Sequence, residues 1–292
     1  MKHRMSRGPS EKDKVLAAGL YLVATPIGNL RDITLRALDV LGAADLVLCE
    51  DTRVGGRLLH AHGISARLER YDEHSGARAR PKILERLAQG ERIALTSDAG
   101  TPLISDPGYR LVREAALQGS AVFAIPGPSA VLSALTVSGL PTDRFFFAGF
   151  TPPKSAARRA LFAELATVPA SLVFYETGPR LAASLADMAA VLGPREAAVA
   201  RELTKLFETV VRGSLPSLAA DPSLAAPKGE IVVVVGPPLE QPAASVQEID
   251  AALMEALGRL GVAAAAAEVA NALRLPRREL YARALELRGP AA

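Results

Sequence analysis

The sequence of 292 residues has no tryptophan, a single cysteine and only four histidines. One cysteine, Cys49, can form neither an internal disulfide nor a multi-cysteine metal site, so we expect a reducing, cytoplasmic setting. Because the histidines also lack the spacing of metal ligands, no metal site is predicted. Aromatic residues make up 4% of the chain and hydrophobic residues 49%, so we expect a sizeable core of mostly alanine, valine and leucine.

Several patterns that identify common protein classes are missing from the sequence. No apolar run reaches the roughly 18 residues of a membrane helix, so no membrane partner is expected. The glycine patterns of dinucleotide-binding and P-loop enzymes are absent, as is the G-x-S-x-G pattern of many hydrolases. The formal net charge of +3 permits a nucleic-acid partner without requiring one.

Short apolar runs alternate with helix-like stretches from about Gly19 onward. Continuous apolar strands separated by helices predict an α/β fold with a parallel sheet covered on both faces. Beyond about residue 141, two strand-like runs follow each other without a helix, which predicts a second, mixed sheet. We therefore predict four parts: a flexible basic tail (1–18), an N-terminal α/β domain (19–140), a C-terminal α/β domain (141–238) and a small helical domain (245–292).

The predicted helical domain ends in two short helices, Ala264–Leu273 and Arg277–Leu287, of which the second is rich in arginine. Such a pair resembles a helix-turn-helix. It also fits a small helical cap, and we favour the cap because polar residues suited to reading bases are few.

The most elaborate predicted loop is Ser97–Gly108, which contains two glycines, two prolines and two aspartates. A connection between a strand and a helix usually needs only about two to six residues. Three further unusual loops follow predicted strands, at residues 25–30, 50–53 and 126–130. In an open parallel sheet, ligands bind outside the carboxyl ends of the strands. Four such loops on one rim therefore predict a binding site.

Each loop also has a purely structural explanation. Pro126-Gly127-Pro128 fits a rigid turn that starts a helix. The charges of Glu50, Asp51 and Arg53 fit a surface ion pair of little energetic value, and Asp98 fits a residue that caps a turn. Packing alone nevertheless requires none of these loops, so the site remains our interpretation.

Six motifs resemble those of one protein family, in the same order along the chain: TPIGNLRDITLRAL, EDTR, SDAGTPLISDPG, PGPSA, FYETGPR and ARELTK. They are similar to motifs of the bacterial ribosomal RNA small-subunit methyltransferase I family, within the tetrapyrrole-methylase superfamily. The resemblance extends from about Tyr21 to Gly236. It implies two α/β domains of tetrapyrrole-methylase type, the fold of class III S-adenosyl-L-methionine methyltransferases, with the cofactor in the cleft between them and usually a homodimer.

The resemblance also implies an activity and a set of cofactor contacts. The activity is methylation of the ribose 2′-hydroxyl of one cytidine in the decoding centre of 16S ribosomal RNA, with S-adenosyl-L-methionine as methyl donor. The implied cofactor-binding residues come from three rim loops and from the second domain: Pro26, Ile27, Asp98, Ala99, Gly100, Thr101, Pro102, Ser129, Ala130, Tyr175 and Leu203.

A 2′-hydroxyl is a weak acid, so a nearby base or cation should assist its deprotonation. The candidate bases are the carboxylates Glu50, Asp51, Glu176 and Glu202. The candidate cations are Arg53, Lys154 and Lys205, which could equally hold phosphates beside the target ribose. We prefer Asp51 with Arg53, because both lie on the rim that carries the glycine-rich loops.

Contact with RNA is expected to be largely electrostatic and therefore sensitive to salt. Available cations are Arg31, Arg53, Arg57, Arg78, Lys154, Arg158, Arg159 and the arginines of the last helix. Two alternatives remain open. One is a methylase of the same superfamily that acts on a tetrapyrrole or another small molecule. The other is a non-catalytic nucleic-acid-binding protein whose C-terminal helices make the contact.

Overall fold

The computed structural model describes residues 16–72, 76–239, 245–273 and 275–288. Residues 1–15 of the predicted basic tail lie outside the described residues. The chain divides into two compact units, one ending at Pro238 and the other beginning at Leu239. The two α/β domains predicted on either side of residue 140 pack together within the first unit.

Among the described residues, five strands form the first sheet: β1 (Gly19–Val23), β2 (Leu46–Cys49), β3 (Leu68–Arg70), β4 (Arg92–Thr96) and β5 (Val122–Ile125). Their order is β3-β2-β4-β1-β5, and all neighbours are parallel. The apolar runs of the central strands are buried on both faces of the sheet, as a parallel sheet covered by helices requires. The predicted parallel sheet is therefore confirmed.

Helices cover this first sheet: α1 (Leu35–Ala43), α2 (Thr52–Ala61), α3 (Gly76–Ala88) and α4 (Tyr109–Leu117). Helix α5 (Ala130–Ser138) follows β5. Side chains cap several of their N-termini. Thr34 accepts from the backbone N–H of Ala37, and Ser129 accepts from that of Leu132. Because strands and helices alternate, the predicted rim loops all leave the carboxyl ends of parallel strands.

The second sheet contains the strands β6 (Phe145–Phe150), β7 (Ser171–Thr177), β8 (Glu196–Arg201), β9 (Thr209–Ser214) and β10 (Glu230–Val235). Its order is β6-β7-β10-β8-β9. Strands β6 and β7 are parallel, whereas β10 is antiparallel to β7 and β8, and β8 is antiparallel to β9. The predicted mixed sheet is confirmed.

The two faces of the second sheet have different partners. One face packs against α6 (Ser155–Leu165), α7 (Gly178–Leu192) and α8 (Leu215–Ala219) in the largest apolar cluster. The other face packs against α5 of the first half. Residues from α5 and from the sheet form one buried cluster that includes Val131, Ala134, Leu135, Val173, Val232 and Val234. Helix α5 therefore joins the first half of the chain to the second sheet, and its cluster also contains Ile27 of the first rim loop.

The second unit consists, in its described residues, of three helices: α9 (Val246–Leu257), α10 (Val262–Leu273) and α11 (Arg277–Arg288). Their small apolar core includes Leu253, Val269 and Leu280. Arg283 of α11 forms an ion pair with Asp250 of α9 at 2.6 Å. In the part of the chain that the structure describes, no helix is long and apolar enough to cross a membrane.

Candidate active site

A cavity of about 330 Å³ lies where the rim of the first sheet meets the second sheet. Nine of the eleven predicted cofactor-binding residues line it: Ile27, Asp98, Ala99, Gly100, Thr101, Ser129, Ala130, Tyr175 and Leu203. The remaining two, Pro26 and Pro102, are buried next to these residues in the chain without lining the cavity. The structure thus brings together residues that are up to 176 positions apart, from Ile27 to Leu203.

Hydrogen bonds hold three of the rim loops against one another. The backbone of Thr25 pairs with that of Gly100, with N–O distances of 2.9 and 3.0 Å. The Thr25 hydroxyl donates to the carbonyl of Ser97 at 3.1 Å, and the Thr101 hydroxyl donates to that of Pro128 at 3.1 Å. These contacts fix the loops around the cavity before any ligand arrives.

The loop from Ser97 to Gly108 has an unusual backbone. Gly100 has a φ of 83°, which is readily adopted only by glycine. Leu103 and Ser105 have φ values of 73° and 67°, which are uncommon for residues with a side chain. Conformations of this kind are found preferentially at functional sites, where the surrounding structure maintains them. The loop is therefore shaped by more than the need to connect β4 to α4.

Lys205 and Glu202 connect the cavity wall to the first half of the chain. Lys205 Nζ lies 2.8 Å from Glu202 Oε1 and 3.1 Å from Glu230 Oε2. The aliphatic stem of Lys205 covers Gly28, where a Cβ atom would lie only 2.4 Å from Lys205 Cγ. The hydrogen bond from Lys205 lowers the pKa of Glu202. Lys205 and Glu202, both predicted catalytic candidates, thus form an ion pair with each other, which favours a structural role.

Glu50 is placed differently from the other predicted acids. Its carboxyl shares a hydrogen bond with that of Asp106, and one of its oxygens is buried without a hydrogen-bond partner among the described residues. Burial, reinforced by the charges of Asp106 and Asp98, raises the pKa of Glu50 to about 7. Burial likewise raises the pKa of Asp106 to about 6. Two carboxyls with such pKa values can exchange a proton near neutral pH.

Asp51 and Arg53, the preferred catalytic pair of the sequence analysis, do not line this cavity. The Asp51 carboxylate caps α2 by accepting from the backbone N–H of Arg53 at 2.8 Å, and it forms an ion pair with the Arg53 guanidinium at 2.5 Å. These bonds hold the pKa of Asp51 well below its usual range. The backbone N–H of Asp51 donates to Asp98 Oδ1 at 3.2 Å, so Asp51 supports the site indirectly.

The remaining catalytic candidates are Glu176 and Lys154. Glu176 reaches the cavity wall, but its carboxylate is buried and accepts from the hydroxyls of Thr151 and Ser184. Lys154 is exposed at the start of α6 and is not among the described residues that line the cavity. Neither position favours proton transfer.

One of the arginines expected to contact RNA is not on the surface. Arg158 is buried, with 4% of its surface exposed, and pairs with Asp187 at 2.5 Å, because it lies on the same buried face of α6 as Phe162 and Leu165. Arg283 is partly exposed and pairs with Asp250 at 2.6 Å and with Glu286 at 2.7 Å, and its contact with RNA stays a prediction. The others with described positions, including Arg31, Arg57 and Arg159, are exposed.

Several residues at the site were not predicted from the sequence. Asp106, Ser105 and Ile104 belong to the loop that was singled out, but its pattern did not indicate which members face a ligand. Glu230 and Val232 lie on β10, where an apolar run gave no functional signal. They reach the cavity because β10 lies between β7 and β8 and is antiparallel to both.

Family descriptions match most of the chain. Residues 19–219 match the family described as Tetrapyrrole (Corrin/Porphyrin) Methylases. Residues 243–288 match the RsmI C-terminal HTH domain. The second match names the helix-turn-helix arrangement that the sequence analysis weighed against a helical cap and did not favour.

Curated relatives share the same name. A protein of Mesorhizobium japonicum is 52% identical over 275 residues, which cover 94% of this chain and 93% of the relative. A protein of Erythrobacter litoralis is 54% identical over 275 residues, covering 94% and 96%. Both are named ribosomal RNA small subunit methyltransferase I.

Solved structures show the same fold at low sequence identity. The uroporphyrin-III-C-methyltransferase of Thermus thermophilus has a TM-score of 0.54 and 21% identity, covering 75% of this chain and 94% of that one. A diphthine synthase has a TM-score of 0.58 and 15% identity, covering 74% and 89%. Taken with the curated relatives, these matches establish that the chain is a methyltransferase of the tetrapyrrole-methylase fold and belongs to the ribosomal RNA small subunit methyltransferase I family.

Proposed function

We propose that this protein uses S-adenosyl-L-methionine to methylate the ribose 2′-hydroxyl of a cytidine in the decoding centre of 16S ribosomal RNA. The observation that carries the proposal is the cavity in which Asp98, Gly100, Ser129 and Leu203 converge. Membership of a family whose curated relatives are named for the small-subunit ribosomal RNA supports the substrate.

The residues of the cavity fit S-adenosyl-L-methionine. Its volume of about 330 Å³ is within the range of small-molecule sites. Ile27, Leu203 and Val232 offer apolar surface for a flat base, and the exposed Asp98 carboxylate offers an acceptor for hydroxyl or ammonium groups. Gly100 lines the same wall, and because it has no side chain a ligand can approach its backbone closely.

Ile27, Asp98 and Leu203 would hold this cofactor, which would supply an electrophilic methyl group to the substrate oxygen and leave as the neutral thioether. We propose that Glu50, hydrogen-bonded to Asp106, accepts the proton that leaves the hydroxyl. A base with a pKa near the working pH is more effective than one whose pKa is strongly lowered, which favours Glu50 over Asp51. The other residues of the site orient the reactants, and orientation accounts for much of such a transfer.

We further propose that the protein acts in the cytoplasm as a homodimer. Strand β6 is an edge strand of the second sheet, and it exposes 43% of Phe145 and 44% of Phe146. Apolar side chains on a sheet edge are normally covered by another surface. Sedimentation of the full chain tests this part, because a monomer at micromolar concentration would contradict it.

A methylation assay with labelled S-adenosyl-L-methionine tests the main proposal. Small ribosomal subunits, free 16S ribosomal RNA and a corrinoid are offered separately, and nucleosides from the RNA are analysed by mass spectrometry. We expect 2′-O-methylcytidine at one position of the RNA and no methylation of the corrinoid. Transfer to the corrinoid alone would instead support the small-molecule alternative.

A further inference from the structure

A second cavity, of about 750 Å³, adjoins the one described above. Ser105 and Asp106 line both cavities, so these two residues form a shared wall. Glu50 also lines the second cavity. Glu50, the proposed proton acceptor, and its neighbour Asp106 therefore both line the second cavity, and Asp106 lies at its boundary with the first.

Three arginines also line the second cavity. Arg70, Arg80 and Arg110 border it, and none of the three borders the first cavity. Arg70 is paired with Asp72 at 2.5 Å, and Arg80 is paired with Glu114 at 2.8 Å. Arg110 is exposed and has no ion-pair partner among the described residues. Of these three cations, Arg110 is therefore the one left to attract an anion.

Arginine side chains also extend from the cavity into an adjoining groove. A neighbouring groove of about 510 Å³ shares Arg80, Tyr109 and Arg110 with the cavity and adds Arg113. Helix α4 begins at Tyr109 in this wall, and no side chain caps its first turn. The partial positive charge of a helix N-terminus adds to the attraction that the arginines exert on an anion.

Tyr109 provides an aromatic face at the same place. It is 65% exposed although it is a large aromatic residue, and it borders both the cavity and the groove. Exposed aromatic side chains beside cations are the usual means of binding unstacked bases together with their phosphates. A groove that continues past the cavity fits a polynucleotide better than a free nucleotide.

We propose that the second cavity binds the target nucleotide of an RNA strand, drawn out of its stack, with its phosphate at Arg110 and its base against Tyr109. The ribose then lies toward the wall of Ser105 and Asp106, with Glu50 beside it and the methyl donor on the far side. This inference rests on the proposed function and adds the site at which the RNA substrate is bound. It assigns the phosphate contact to Arg110 instead of Arg53 or Lys154, which border neither cavity.

Two variants and one control test the site. Arg110→Ala removes the phosphate contact, and Tyr109→Leu removes the aromatic face while keeping apolar bulk. Arg36→Ala is the matched control, because Arg36 is an exposed arginine on α1 that borders neither cavity. For each protein, the affinity for S-adenosyl-L-methionine is measured by calorimetry. The KM for small ribosomal subunits and the salt dependence of binding to free 16S ribosomal RNA are measured separately.

We expect both variants to raise KM about tenfold while the cofactor affinity stays within twofold of the wild type. Arg110→Ala should also lower the salt slope by about one, because one phosphate contact is lost, whereas Tyr109→Leu should leave the slope unchanged. Wild-type values of KM and slope for Arg110→Ala, or an equal loss in Arg36→Ala, would overturn the inference. If the wild type does not methylate RNA at all, the proposed function fails. The comparison of RNA binding between the wild type and Arg110→Ala still tests whether the second cavity binds RNA.

Discussion

Glu50 directly follows strand β2, and its environment changes the chemistry of its carboxyl. Burial raises its pKa to about 7, with the charges of Asp106 and Asp98 as further causes. Asp51, the next residue, has a lowered pKa because Arg53 binds its carboxylate. Two adjacent acids therefore differ in basicity because one faces a cavity and the other caps a helix.

The rate of methyl transfer should depend on pH through Glu50. A base must be deprotonated to accept a proton, so kcat should rise about tenfold per pH unit below 7 and level off above it. Because Asp106 is coupled to Glu50, the apparent pKa belongs to the pair. Glu50→Gln should remove most of the rate and the pH-dependent limb together. A variant that keeps the wild-type pH profile would exclude Glu50 as the proton acceptor.

The same pKa predicts a stability effect with a definite sign. The folded state holds the Glu50 proton more tightly than the unfolded state, so its contribution to stability is complete below about pH 4 and is lost as pH rises through 7. Glu50→Gln should therefore be more stable than the wild type by about 1–2 kcal/mol at pH 8, less than the full pKa shift implies because the side chain is partly exposed. Urea unfolding at pH 4 and pH 8 measures the difference. An effect of equal size at both pH values would contradict this origin.

At the scale of elements, Asp51 begins helix α2. Its carboxylate accepts from the backbone N–H of Arg53 at 2.8 Å, and loss of such a cap costs about 1 kcal/mol. Asp51→Ala should therefore lower the free energy of unfolding by about that amount. Asp51→Asn keeps an oxygen at the cap and should keep both stability and turnover. Loss of turnover in Asp51→Asn with normal stability would instead restore Asp51 as a catalytic base.

The elements that the sequence predicts well are those with local signals. Continuous apolar runs identified β2 and β4, and the loop at 97–108 was recognised from its own composition. Strand β3 was missed because Leu-Glu-Arg at an edge gives no apolar run. The pairing of Glu50 with Asp106 and the burial of Arg158 against Asp187 depend on contacts between distant residues, which no local pattern contains.

At the scale of the whole first unit, α5 joins the first half of the chain to the second sheet. Its apolar residues are buried against the second sheet, including Val131, Ala134 and Leu135, in a cluster that also contains Ile27 of the first rim loop. The rim loops of the first sheet and the strands β7 and β10 of the second border one cavity. Neither sheet alone would enclose a ligand, so the site is a property of the assembled unit.

The central claim is that this cavity holds the methyl donor with its reactive end toward Ser105 and Asp106. A crystal structure of the protein grown with S-adenosyl-L-homocysteine, the demethylated product, tests it most directly. We expect the ligand to lie between Asp98, Gly100 and Leu203, with its sulfur nearest the wall shared with the second cavity. A ligand bound elsewhere, or one whose sulfur points away from that wall, would contradict the account.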